Sequence, residues 1–462
     1  MMAAMVLAGS FGALPAVGQS TANTLTSVGD TRYRATRHPD RIVLVPGADA
    51  SREVAISWRT EAGVLQTELQ WTRALDTPGL HLYATTARGR SEELTTDNGP
   101  ARHHSVRLNG LQPDTLYAYR VRGGGTWSEW LQFRTPAAAF QNFSFLYFGD
   151  AQNSIRSHFS RVIRQSFRDE PGIALLLHAG DLVNQGAGNH DDEWGEWFEA
   201  GGFLHGMVQT VPVAGNHEYV AGRLRGGFGQ RILGPHWRKQ FAVPQNGPPG
   251  FEDTVYFVRF AGALFVVLDS MRAVDDPQAA VAQAAWLDAV LTREQARWVV
   301  VSHHHPVFSV ALGRDNPTLR EHWLPVFERH GVDLVLQGHD HAYGRGQNVP
   351  EGRAAATANG GPVFVVSVAG PKQYVAAETA RNGLQRIGED MQLYQVIHLE
   401  ADRLRYQSKT VAGRVYDAFE IRRQADGSTR VVSDAASIGE VRCGNPQRPK
   451  PTRCWDGDEL TK

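Results

Sequence analysis

The sequence predicts an all-β sandwich followed by a larger α/β domain, and three observations predict it. Short alternating runs separated by turns fill residues 39–136, the pattern of half-buried strands. From Phe143 onward, apolar runs of strand length alternate with segments of helical length, as in a layered α/β domain. Polar motifs led by glycine fall after several of those runs, where open α/β sheets present their ligands. At roughly 150 residues per domain, the 462 residues hold these two units with a surplus for a leader and a tail.

Residues 1–25 read as a signal or leader segment. The stretch 3–17 is apolar and ends at Ala16-Val17-Gly18, a small-x-small site suited to cleavage, although no basic residue precedes it. It is too short and too interrupted by glycine and proline to span a bilayer. In the sandwich, 39–136, Val54, Ile56 and Trp58 alternate with Ala55 and Ser57, the period of a half-buried strand. The run from Leu111 to Tyr117 resembles the tyrosine-corner stretch of fibronectin type III sandwiches, in which a tyrosine hydroxyl ties back a loop. In the α/β domain, 140–422, buried strands are expected at 143–148, 174–177, 264–268, 298–301, 332–336 and 363–368. Helices are expected over 154–168, 277–291 and 318–330, and 255–260 should pair with 264–268 as a hairpin, making the sheet mixed. In the tail, 423–462, Cys443 and Cys454 flank a proline-rich stretch. Two cysteines cannot complete a four-ligand zinc site, so a Cys443-Cys454 disulfide is expected, with a secreted or periplasmic location.

Composition excludes other classes. Lys and Arg (47) nearly cancel Asp and Glu (48), which argues against a nucleic-acid scaffold or an anionic membrane surface as partner. The 42% hydrophobic and 21% charged residues fit neither disorder nor a membrane bundle, and no membrane span is expected. Histidine is the informative count: 13 of the 18 lie between His158 and His341. Imidazole is the commonest neutral metal ligand, so that interval is where chemistry is expected.

The motifs there are Gly149-Asp150, Gly180-Asp181, Gly215-Asn216-His217-Glu218, His303-His304-His305-Pro306 and Gly338-His339-Asp340-His341. Each glycine is expected to let the backbone turn sharply and bring the next side chain toward a shared point. Carboxylate, amide and imidazole together suit borderline ions such as Zn, Mn or Fe. Singly these motifs are ordinary turns; their joint order is not.

In that order they resemble the calcineurin-like metallophosphoesterases, and within them the purple acid phosphatase branch, whose plant-type members also carry an N-terminal fibronectin-III-like domain. The resemblance covers residues 39–420 and implies a mixed-sheet β-sandwich flanked by helices around two divalent metal ions, Fe, Zn or Mn. By the resemblance, Asp150 and His341 bind the first ion, Asp181 bridges both, and Asn216, His304 and His339 bind the second. His304 is taken because the family pattern is His-x-Pro. His217 would stand by the leaving oxygen as proton or hydrogen-bond donor, and Glu218 either fixes its tautomer or is a plain solvated carboxylate. The activity implied is hydrolysis of a small phosphate monoester by metal-activated hydroxide. The alternatives are a phosphodiesterase on the same site and a non-catalytic extracellular binding protein.

This chain departs from the branch at several positions. Where purple members have Gly-Asp-x-x-Tyr, it has Asn184, so a ferric tyrosinate is not expected, and Asn184 is the best replacement ligand. Gln152 follows the first motif and either coordinates weakly or lines the pocket. The family's phosphate-holding histidines downstream of His-x-Pro are missing; His303, His305 and Arg314 are the candidates to replace them, and Arg345 either joins them or pairs with a carboxylate. In the segment 191–197, Trp194 and Trp197 are expected to join Phe198 on one helix face, leaving Asp192, Glu193 and Glu196 solvated.

Overall fold

The computed structural model describes residues 30–184, 190–224, 227–347, 361–425, 428–434 and 437–457. The expected leader, 1–25, lies outside them. The N-terminal unit packs two four-stranded antiparallel sheets. One contains Asp40–Pro46, Val54–Glu61, Gly99–Leu108 and Arg90–Thr96; the other contains Thr85–Arg88, Glu68–Arg73, Leu116–Val121 and Leu131–Arg134. Leu44, Ile56, Trp58, Tyr119 and Phe133 share their core. The Tyr117 hydroxyl accepts the Gln112 N–H at 2.9 Å, as the tyrosine-corner resemblance implies.

The strand Val54–Glu61 is buried on both faces, which corrects the half-buried expectation. Ile56 and Trp58 point into the sandwich, whereas Ala55 belongs to the core of the following domain. The same face carries Arg59, whose guanidinium reaches Asp191 at 3.2 Å, joined by Arg41 at 2.8 Å. The sandwich is thus bolted to its neighbour by a buried ion triad.

The second unit is built from two seven-stranded mixed sheets packed face to face. In one, Phe143–Phe148, Leu175–His178 and Gln209–Pro212 run parallel, and Leu393–Leu399, Arg403–Thr410, Val415–Arg423 and Thr429–Ser433 continue antiparallel. In the other, the hairpin Tyr256–Phe260/Ala263–Val267 leads into parallel Val299–Ser302, Leu334–Gln337 and Val363–Val366. Phe145 and Tyr147 of the first sheet meet Phe265, Val300 and Leu336 of the second in one core. Helix Pro277–Arg293 covers the second sheet's outer face through Leu287 and Val290. Among the described residues, no helix is long and apolar enough to cross a membrane.

Two helices differ from expectation. The first starts at Phe159, not 154, because Asn153 and Ser154 take positive φ values of 70° and 44°. The segment 318–330 forms two short helices, Pro317–His322 and Leu324–Arg329, because Pro325 has no N–H to continue the first. Helix His190–Gly201 buries Asp192, Glu193 and Glu196 as well as its tryptophans, against the expectation that these carboxylates are solvated. The sandwich closes over that side: Asn98 Nδ2 donates to Asp192 Oδ1 at 2.6 Å.

Candidate metal centre

The motifs stand where parallel strands end on one edge of the two sheets. Asp150 follows Phe143–Phe148, Asp181 follows Leu175–His178, Asn216 follows Gln209–Pro212, His304 follows Val299–Ser302, and His339 and His341 follow Leu334–Gln337. The strands form because their apolar runs are buried on both faces; their ends therefore converge.

The glycines act in two ways. Gly180 itself takes φ +90°, and a Cβ there would sit 2.6 Å from His304 Nδ1. Gly338 has no left-handed φ but lies so close to the ligands that a Cβ would meet Asp150 Oδ1 at 2.3 Å. The sharp turns fall on the functional residues: Asp181, His339 and His341 have φ values of 49°, 73° and 47°. Such backbone persists only where surrounding contacts over-determine it.

Two groups of side chains share Asp181: Asp150, Asp181 and His341, and Asp181, His304 and His339. Within each, the donor atoms lie within 4.8 Å of one another. His304 Nδ1 lies 2.9 Å from the Ala179 carbonyl, which accepts its proton and turns Nε2 to the cluster. That Nε2 faces Asp181 Oδ2 at 3.1 Å, Asn216 Oδ1 at 3.1 Å and His339 Nδ1 at 3.2 Å. His341 Nδ1 is likewise turned to a carbonyl, that of Lys372, at 3.1 Å, and its Nε2 lies 3.3 Å from Asp150 Oδ2. Asp150 Oδ2 is buried and accepts no hydrogen bond among the described residues. Electron-pair donors brought this close around shared points are what a cation site requires, so these residues fit two metal ions.

Electrostatics agree with that fit. Burial and the neighbouring Asp181, against the pull of His304, raise the Asp150 carboxyl to about 7. Burial lowers the His304 imidazole, but Asp181 and Asp150 outweigh it and raise the group to about 9. Burial raises Asp181, yet His304 and His217 hold it below the ordinary carboxylate range. Without a cation, the protein thus keeps protons in the ligand cluster.

The remaining candidates fall in different places. His217 donates its N–H to Asp181 Oδ1 at 2.9 Å, and its Nε2 lies 3.9 Å from Asp181 Oδ2 at the open side of the cluster. Burial lowers its imidazole to about 4, with Asp181 opposing and Lys372 reinforcing. Glu218 is buried, and its described partners are backbone N–H groups in place of the His217 ring or solvent that the sequence suggested. Its carboxylate accepts the N–H groups of Gly215, Asp181 and Leu182 at 2.7, 2.9 and 2.9 Å and clamps two motif loops together. Gln152 Nε2 lies 3.0 Å from Asp181 Oδ2 and 3.0 Å from His341 Nε2, so the amide fills the first ion's surroundings. Asn184 is half-buried and hydrogen-bonds to none of the cluster among the described residues.

Of the phosphate-contact candidates, His303 is corrected and Arg345 takes its other reading, the pairing with a carboxylate. His303 is fully buried between Trp323 and Phe327, at centroid distances of 5.1 and 6.1 Å, because it ends a strand facing the helical layer. Arg345 pairs with the buried Asp417 at 2.6 and 3.2 Å and is structural. His305 stays beside the cluster, its ring 4.1 Å from that of His339, and Arg314 hydrogen-bonds Asp340 Oδ1 at 3.2 Å behind it.

Sequence reasoning missed Asp340, Lys372 and Tyr374. Asp340 is buried within the last motif and accepts the N–H of Ala311 at 3.1 Å. Tyr374 lays its ring 4.7 Å from that of His341. A signal for the last two was present: Gly370-Pro371-Lys372 follows an expected strand as the other motifs do, but carries no histidine or carboxylate.

Two facing mixed sheets with a shared-carboxylate cluster at one edge define a calcineurin-like phosphoesterase fold, and residues 143–343 match the family described as calcineurin-like phosphoesterase. Residues 39–135 match the purple acid phosphatase N-terminal domain. With both domains in this order, the chain is a purple acid phosphatase-like member of the calcineurin-like proteins. It is 27% identical over 329 residues to an uncharacterized Mycobacterium tuberculosis protein, covering 65% of this chain and 60% of that one. It is 24% identical over 322 residues to Arabidopsis thaliana purple acid phosphatase 13, covering 61% and 57%. The chain therefore spans about 60% of the length of these curated relatives. In fold it is similar to purple acid phosphatase PPD1 of yellow lupin (Lupinus luteus), with TM-score 0.69 and 17% identity over 84% of this chain and 75% of that one.

Proposed function

We propose that this chain is a dinuclear-metal phosphoesterase that hydrolyses phosphate monoesters in a secreted or periplasmic setting. The observation that carries the reading is the pair of ligand groups joined through Asp181. Asp150 and His341 would hold the first ion, Asn216, His304 and His339 the second, and Asp181 both. Carboxylate, amide and imidazole donors suit Fe, Zn or Mn, and one relative is named an Fe(3+)-Zn(2+) purple acid phosphatase. Bound ions would supply Lewis acidity toward a phosphoryl oxygen and lower the pKa of water.

The chain's own residues supply the rest. The Ala179 and Lys372 carbonyls fix the tautomers of His304 and His341, and Glu218 holds the loops of Asp181 and Asn216 in register. His217, held neutral by burial, donates a hydrogen bond from its ring to the leaving oxygen as the P–O bond breaks. The Cys443–Cys454 disulfide, with Cα atoms 5.7 Å apart, supports an oxidising compartment.

The test adds Mn, Zn or Fe to metal-stripped protein and measures turnover of p-nitrophenyl phosphate and of its bis ester. Faster monoester turnover is expected. Preference for the bis ester would make the chain a diesterase, and metal uptake without turnover of either would make it a binding protein.

A further inference from the structure

Lys372 is a mostly buried cation beside the metal cluster, where Arg231, also close to His217, is exposed. The residue is only 8% exposed, and among the described residues its ammonium has no ion-pair partner. Its charge is felt at both His217 and His341, and its own carbonyl holds the His341 ring. A mostly buried lysine without a counter-charge favours an anion that arrives from outside.

The C-terminal tail builds the surroundings. Strand Arg453–Trp455 pairs with Gln373–Tyr374, directly after Lys372, and the Cys443–Cys454 disulfide closes the loop behind it. Gly457 packs against Lys372 so closely that a Cβ there would sit 2.8 Å from the lysine Cβ. Ser154 Oγ donates to the Gly457 carbonyl at 3.2 Å, which fastens the tail to the loop after Asp150. The Tyr374 ring collects three cations: Arg314 at 4.7 Å, Arg453 at 5.1 Å and Lys372 at 5.7 Å. Arg314 is answered by Asp340 and Arg453 by Asp456, at 3.2 and 2.7 Å. Lys372 is left to meet a ligand.

We propose that Lys372 is the phosphate-contacting residue of this site, binding an outer oxygen of the phosphoryl group, and that the disulfide-closed tail is the element that positions it. This rests on the phosphoesterase reading and deepens it. It also supplies a charge where the segment 306–321 offers no histidine. Arg453 acts through the Tyr374 ring and is a positioning residue.

Binding of inorganic phosphate to the metal-loaded protein, followed by titration calorimetry alongside metal content, tests this. Lys372→Gln should weaken phosphate about 10- to 100-fold, as expected for a lost charged hydrogen bond, with metal content unchanged. Lys372→Arg should recover most of the affinity, and Cys443→Ser/Cys454→Ser should weaken phosphate in the same direction with metals retained. Equal phosphate affinity in Lys372→Gln and the parent, in protein that turns over p-nitrophenyl phosphate, overturns the role of Lys372 alone. Parent protein that takes up metal yet neither binds phosphate nor turns over the ester overturns the reading beneath it.

Discussion

At the scale of single residues, the site depends on which lone pairs are left bare. Asp181 serves both ligand groups, so Asp181→Asn should lose metal and turnover together, read by metal analysis on folded protein. His217 hydrogen-bonds Asp181 through its backbone N–H, which alanine keeps, so His217→Ala should keep its metals and lose turnover by a factor of about 10²–10⁴. Loss of both metals in that variant would remove His217 from its assigned role. Metal uptake should also release protons. Asp150, raised to about 7, and His304, raised to about 9, must both deprotonate before they can ligate. Affinity should therefore climb as pH rises through both values, with about two protons released per chain near pH 6. Calorimetry in buffers of different ionisation enthalpy reads this directly, and zero release at pH 6 would contradict it. With Asn184 in the tyrosine position, the metal-loaded protein should show no visible tyrosinate charge-transfer band.

At the scale of elements, much of the arrangement is legible in the sequence. Strands such as Phe143–Phe148 and Val299–Ser302 are near-continuous apolar runs because both faces are buried, so their ends can be located and the motifs after them read as one edge. What stays illegible depends on partners far along the chain. Glu218 reads as a surface carboxylate until Gly215, Asp181 and Leu182 are seen donating to it. His303 and His304 are neighbours in sequence, yet strand alternation sends one into an aromatic cluster and the other to the metal edge. Lys372 gives no sign of its burial because its roof comes from the far end of the chain.

At the scale of the whole molecule, the sandwich is a structural partner of the phosphoesterase domain. Val43, Val45 and Ala55 share its core, and the Tyr119 hydroxyl donates to the Gly206 carbonyl at 2.6 Å. Removing residues 26–136 should therefore leave the ligands in place but expose apolar surface, seen as aggregation on size-exclusion chromatography. A soluble, fully active fragment would show the sandwich to be dispensable. Asp191→Ala should destabilise the intact chain by about 3–5 kcal/mol in denaturant, because Arg41 would stay buried without its carboxylate, while Arg59 keeps Asp40 at 2.7 Å.

That ion triad also bears on how the chain is made. The ribosome finishes the sandwich strands, Arg41 and Arg59 included, before it reaches Asp191. The newborn sandwich thus presents its docking face, two arginines beside Val43, Val45 and Ala55, to solvent while the rest is synthesised. Arg59 is already held by Asp40 of the sandwich itself, so it is Arg41 whose charge keeps that face hydrated until the helix carrying Asp191 replaces its water.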